Sequence, residues 1–94
     1  MSLDWDQRMG QKLLLQQRLA ETSAAMLHEE EELRRAVLPQ SALDLWRESR
    51  VSWLHDNIQI VVNDWPDDKP CPEQDEIDKM VRGWFTSFRG EAPR

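Results

Sequence analysis

Residues 11–38, QKLLLQQRLAETSAAMLHEEEELRRAVL, decide the fold of this chain. The segment contains neither proline nor glycine, and most of its residues are good helix formers. Only Gly10 interrupts the same pattern upstream, so we predict one helix from Leu3 to Leu38. At about 1.5 Å per residue this helix would be roughly 54 Å long. Because a compact chain of this size is on the order of 30 Å across, the helix should extend beyond its own domain.

Two stripes of residues run along this predicted helix. The first alternates steps of four and three, as the seam of a coiled coil does. Its members are Leu15, Leu19, Thr22, Met26, Glu29, Leu33 and Ala36. The second stripe consists of Met9, Leu13, Ala20 and Leu27. One stripe could pack within the chain and the other against a partner, although Thr22 and Glu29 interrupt the seam.

The acidic run 29–32 lies just before two arginines. Glu30 with Arg34 and Glu31 with Arg35 have the i, i+4 spacing at which opposite charges stabilise a helix. We therefore interpret the run as a solvated helical face rather than a functional patch.

A second helix should follow Pro39, because the residue before a proline is pushed out of helical geometry. Ser41, with Asp44 three positions later, resembles a capping box, which favours a helix start here. We predict this helix over 42–62. The run 57–62, NIQIVV, would also suit a strand, but no second strand exists to pair with it.

A third helix is predicted over 73–89, with Pro72 suited to the first helical position. Its apolar residues recur at helical spacing. They are Ile77, Met80, Val81, Trp84, Phe85 and Phe88. Residues 90–94 should form a frayed tail. The sequence thus predicts a single all-α domain, 1–94, in which a long N-terminal helix packs in a helical hairpin or three-helix arrangement with a proline-rich acidic loop.

The predicted loop, 63–72, is stiff and acidic. Residues 64–78, DWPDDKPCPEQDEID, hold seven of the 18 acids and one of the 12 bases, so their charge equals the net charge of -6 of the whole chain. Because X-Pro bonds restrict the backbone, fixing this loop on a partner costs little entropy. An aromatic residue before Pro66 raises the cis fraction of this bond, which stays minor, so a prolyl isomerase could also bind here. The predicted partner-binding residues are Asp64, Trp65, Pro66, Asp67, Asp68, Pro70, Pro72 and, near the N-terminus, Trp5.

Five tryptophans are a large number for a chain of 94 residues. Trp46, Trp53 and Trp84 are predicted to fill the core, since tryptophan buries a large area. Trp5 and Trp65 lie where a chain end and a turn are expected, so core and interface roles stay equally open for them.

Groups suited to catalysis or metal binding are sparse. Cys71 lies between two prolines and among acids, which disfavour its thiolate. His28 with Glu32 is the one histidine pair at metal-like i, i+4 spacing, and His55 lies on another predicted helix. We therefore expect no enzyme, no metal and no cofactor.

Composition narrows the kind of partner. The sequence pI of about 4.8 disfavours direct binding to nucleic acid phosphates. No apolar run approaches the length of a membrane span, no charged and apolar leader begins the chain, and one cysteine cannot form an internal disulfide. These features predict a cytoplasmic protein that binds no membrane.

The opening MSLDWDQRMGQKLLLQQ (1–17), the helical middle and the segment VVNDWPDDKPCP (61–72) together resemble the small anti-RecBCD proteins of lambdoid bacteriophages. The resemblance implies a protein that acts without catalysis, in the cytoplasm of the host bacterium. It would bind the host recombination nuclease RecBCD and change how that complex processes DNA ends. Two alternatives stay open: a structural homo-oligomer, such as a homodimer, or assembly factor built on the first helix, and, less favoured, a DNA mimic.

Overall fold

Three α-helices account for most of the chain. The computed structural model describes the backbone of residues 5–89 and the side chains of residues 9–87. The helices are α1 (Trp5–Arg35), α2 (Gln40–Asp64) and α3 (Gln74–Arg89). No strand occurs among the described residues, so the predicted all-α class is confirmed.

Helices α1 and α2 form an antiparallel hairpin. The amides of Val37 and Leu38 both donate to the carbonyl of Arg34, at 3.0 and 2.9 Å, and this tight turn ends α1 at Arg35. The predicted end at Leu38 was therefore wrong, because Pro39 already forces the residue before it out of the helix. The predicted start at Leu3 lies outside the described residues.

Helix α2 begins two residues earlier than predicted. Pro39 occupies the N-cap in an extended conformation, its carbonyl accepts the Leu43 amide at 3.0 Å, and no side chain caps the helix. The predicted capping role of Ser41 was wrong, since Ser41 already lies within α2.

The far end of α2 is also longer than predicted. Residues 57–62 are helical, as expected, and the helix continues through Asp64. Trp65 is the C-cap, and its extended conformation is the one that a residue before proline favours.

Helix α3 starts one residue later than predicted. The carbonyl of Glu73 accepts the Ile77 amide at 3.1 Å, so Glu73 is the residue just before the first turn. Pro72 therefore lies two residues before the helix and not at its first position. Near its start, the side-chain amide of Gln74 donates through Nε2 to the Thr22 hydroxyl of α1 at 2.7 Å.

The core lies where the three helices meet. Its buried cluster consists of Leu15 and Leu19 from α1, Ile58 from α2, and Ile77 and Val81 from α3. The N-terminal half of the predicted seam is thus used within the chain. Further along the seam, Glu29 and Leu33 of α1 are exposed, as is Ala36, which follows the end of α1. Of the second stripe, only Leu27 is buried, while Met9, Leu13 and Ala20 are exposed.

The helix lengths make the molecule elongated, with extents of 57 × 22 × 18 Å. Helix α1 has 31 residues and α2 has 25, which corresponds to roughly 46 and 37 Å. The 16 residues of α3 span roughly 24 Å and cover only part of this hairpin.

Candidate protein-binding site

The acidic loop, residues 64–72, is held against α1 by two basic side chains. At its far end, Arg18 Nη1 donates to the carbonyl oxygen of Pro72 at 2.6 Å and lies 3.7 Å from Cys71 Sγ. Hydrogen bonds from a charged donor are among the stronger ones in proteins. A residue on the first helix therefore fixes the position at which the loop enters α3.

Lys12 acts at the other end of the loop. Its Nζ donates to the carbonyl oxygen of Val62 at 3.3 Å and lies 3.8 Å from Asp67 Oδ1. The carbonyls of the last helical turn carry the negative end of the helix dipole, so a cation is favourable there. Lys12 thereby joins the end of α2, the loop and α1.

Within the loop, Trp65 organises the turn. Its indole N–H donates to the carbonyl oxygen of Lys69 at 3.1 Å, and the Lys69 ammonium lies 4.4 Å from the ring centroid. The Lys69 amide donates to the carbonyl of Pro66 at 3.1 Å. No cis peptide bond occurs among the described residues. The loop is therefore a defined turn built around an indole ring.

The residues predicted to bind a partner divide into two groups. Trp65 and Pro72 are half-buried, and Trp65 packs against the core cluster. Trp5 lies outside the residues whose side chains are described. The exposed members are Asp64, Pro66, Asp67, Asp68 and Pro70. The loop thus exposes an acidic and proline-rich surface to solvent, while the half-buried Trp65 anchors it to the core.

The electrostatic surface is less acidic than the linear sequence indicates. Lys12 and Arg18, which lie about fifty residues away in sequence, are brought against the loop. Their two positive charges offset part of the charge of -6 that segment 64–78 carries. Asp64 and Asp68 lie at exposed positions of this surface.

We expect Arg18→Gln to loosen the loop without unfolding the helices. A hydrogen bond from a charged group contributes about 1.5 kcal/mol or more, so local opening should become about tenfold more frequent. Hydrogen exchange of the Lys69 amide, which the turn protects, measures this change. The matched control is Arg35→Gln, which removes an arginine that pairs with Glu31 within α1. Unchanged exchange at Lys69 would mean that Arg18 does not hold the loop.

A second feature, which the sequence did not predict, is a buried arginine. Arg50 is only 2% exposed, and its Nη2 lies 3.3 Å from Glu30 Oε1. Its guanidinium also lies over the rings of Trp46 and Phe85, at 5.7 and 5.6 Å from their centroids. Burial lowers the pKa of Arg50, while the charge of Glu30 raises it and that of Arg34 lowers it further. The side chain stays charged at neutral pH.

This arginine changes the predicted pairing of the acidic run. Glu30 lies against Arg50 and not Arg34, whose guanidinium lies 5.1 Å from the Trp46 ring centroid. Glu31 does pair with Arg35, at 3.2 Å, as predicted, and also accepts a bond from Arg47 at 3.1 Å. The run is therefore partly a contact surface between α1 and α2.

The tryptophans predicted to lie in the core are half-buried. Trp84 packs against the core cluster, and its carbonyl oxygen lies 3.4 Å from the indole nitrogen of Trp53. The guanidinium groups of Arg34 and Arg50 both lie near the Trp46 ring centroid, at 5.1 and 5.7 Å. These three residues therefore surround the core rather than fill it.

Other candidate groups are dispersed. Cys71 is a half-buried free thiol, and the described residues contain no group of three or more His, Cys, Asp or Glu that could hold a metal ion. None of the described helices is both long and apolar enough to cross a membrane. Comparison with known protein families, curated proteins and solved structures gave no match.

Proposed function

We propose that this chain is a non-enzymatic modulator that binds another protein through the acidic loop, residues 64–72. The observation that supports this proposal is the attachment of the loop to α1 by Lys12 and Arg18. A surface that is already ordered loses little conformational entropy on binding. Exposed carboxylates on such a surface favour a partner with a basic patch, since complementary charge speeds association and selects the partner.

We propose that the partner is the host recombination nuclease RecBCD. The support is the resemblance of segments 1–17 and 61–72 to small phage anti-RecBCD proteins. A complex that binds DNA must carry basic surfaces, which an acidic loop could contact. The modulator would act in the bacterial cytoplasm by occupying such a surface and changing how DNA ends are processed, with no chemistry of its own.

Binding to purified RecBCD tests this proposal. We expect the pair Asp64→Lys and Asp68→Lys to weaken binding about tenfold or more, because each reversal replaces attraction to a basic surface by repulsion. Biolayer interferometry at low and physiological salt measures the dissociation constant. The matched control is Glu48→Lys with Asp56→Lys, which makes the same charge change at exposed positions of α2.

The outcomes separate the possibilities. The proposal is supported if Asp64→Lys with Asp68→Lys weakens binding and the control pair on α2 does not. It also requires that the wild-type protein change the rate at which RecBCD degrades DNA. Absence of wild-type binding at micromolar concentration refutes RecBCD as the partner. Equal weakening by both charge-reversed pairs refutes the loop as the binding surface, since net charge alone would then explain the effect.

A further inference from the structure

A groove runs between α1 and α3 on the side of the molecule that continues from the acidic loop. Two adjoining depressions form it, and they share Met26 and Glu29. The bond between Gln74 and Thr22 lies at one end, and Leu33 lines the other. Eleven positions of α1 separate Thr22 from Leu33, which corresponds to roughly 17 Å, or about three helical turns. We name this feature the α1–α3 groove.

Three of the seven residues that line the far depression of the α1–α3 groove are apolar. Met26 and Phe85 are half-buried there, and Leu33 is 74% exposed. An isolated exposed leucine is ordinary, but this one lies beside two further apolar side chains in a depression. A helix that inserts apolar side chains at positions i, i+3 or i+4 and i+7 would match such a lining.

The rims of the groove are mainly acidic. Glu21 and Glu29 lie on the α1 side and Asp78 on the α3 side. Arg82, on α3, is the basic residue that lines the far depression. Glu30 also lines the far depression, where it lies against Arg50. Four carboxylates against the one guanidinium of Arg82 favour an occupant with basic residues flanking its apolar stripe.

We propose that the α1–α3 groove binds an amphipathic helix with basic flanks, supplied by a protein partner. The inference extends the proposed function, because it gives the same partner a second contact beside the acidic loop. The two surfaces are adjacent. Arg18, which donates to the carbonyl of Pro72, lies one turn of α1 before Thr22, which accepts from the side chain of Gln74. The loop would contact a basic surface, and the groove would bind one helix.

A designed peptide tests the groove independently of RecBCD. The probe is a fluorescein-labelled helical peptide of about 14 residues, with leucines on one face and lysines elsewhere, and its control has the same composition in scrambled order. We expect one-to-one binding by fluorescence anisotropy, about tenfold tighter for the amphipathic peptide. Chemical-shift changes at Met26, Leu33 and Phe85 should accompany it.

Matched variants locate the binding site. The pair Glu29→Lys and Leu33→Ser should weaken peptide binding about tenfold, since it removes an exposed apolar contact and reverses a rim charge. The control pair Leu45→Ser and Glu48→Lys makes the same chemical change on α2, where Leu45 is 68% exposed. It should stay within about twofold of wild type. Circular dichroism confirms that both variants remain folded.

Three outcomes overturn the inference. The first is equally tight binding of the scrambled and the amphipathic peptide. The second is an equal loss of affinity in the pair Glu29→Lys with Leu33→Ser and in its control pair. A wild-type dimer that Glu29→Lys with Leu33→Ser converts to a monomer, seen by sedimentation velocity, would show that a second copy occupies the groove. The variant pair Asp64→Lys and Asp68→Lys leaves the groove intact, so failure of the groove and failure of the acidic loop are distinguishable.

Discussion

Replacing Leu19 by alanine should lower the free energy of unfolding by about 3 kcal/mol. Leu19 is 0% exposed and belongs to the cluster in which all three helices meet. The substitution loses the transfer energy of the removed methyl groups and leaves a cavity that the surrounding helices fill only in part. Because domains of this size have a total stability of roughly 5–15 kcal/mol, the loss is a large share. Urea denaturation followed by far-UV circular dichroism measures it.

Leu13→Ala is the matched control on the same helix. Leu13 is 60% exposed, so the same substitution should change stability by less than about 0.5 kcal/mol. Equal effects at the two positions would contradict the packing of α1 described above. A small loss at both would mean that α1 contributes little to the core, and a large loss at both would mean that Leu13 is also buried.

Removal of Glu30 should have an effect of similar size. Its carboxylate lies 3.3 Å from the guanidinium of Arg50, which is 2% exposed. Glu30→Ala removes this carboxylate from beside the buried guanidinium, and breaking one side of a fully buried pair costs about 3 kcal/mol. Because the Glu30 side chain is 33% exposed, we expect about 2 kcal/mol. The same denaturation experiment applies. Glu32→Ala is the control, because Glu32 is more than half exposed and its effect should stay below about 0.5 kcal/mol.

Arg50→Met distinguishes the charge from the volume of the side chain. Replacing both members of a buried ion pair by apolar side chains is often neutral or stabilising, so we expect Arg50→Met to cost less stability in the Glu30→Ala background than in the wild type. The double variant Glu30→Ala with Arg50→Met should then be more stable than Glu30→Ala alone. If Glu30→Ala is as stable as wild type, the pair does not contribute to the fold.

Local patterns in the sequence were sufficient for the fold class. The apolar spacing of α3 follows the helical period, and the run 57–62 had no strand with which to pair. The helix ends were less accurate, because Ser41 offered a cap that the chain does not use. Pro39 itself precedes the first turn of α2 and leaves no room for a capping residue at position 41.

The binding loop could be predicted only in part. Its charge and prolines are local properties that the sequence displays directly. The attachment of the loop to α1 is not a local property, because Lys12 and Arg18 lie about fifty residues from the atoms that they contact. The contacts of Trp65 with the Lys69 carbonyl and with the core cluster also became visible only in the folded chain. Arg50 occupies a position i+4 from Trp46 and i−4 from Leu54, so its place in an apolar stripe was the signal that could have indicated burial.

The ion pair between Glu30 of α1 and Arg50 of α2 limits how these two helices can align. If α1 slid past α2 by one turn, or about 5.4 Å, the buried guanidinium of Arg50 would lose the carboxylate of Glu30, the acidic residue that α1 places beside it. Leucine and isoleucine side chains tolerate such a shift far better, since they have no directional partner. We infer that this one charged residue selects a single register of α1 against α2 among the many that purely apolar helix faces would otherwise permit.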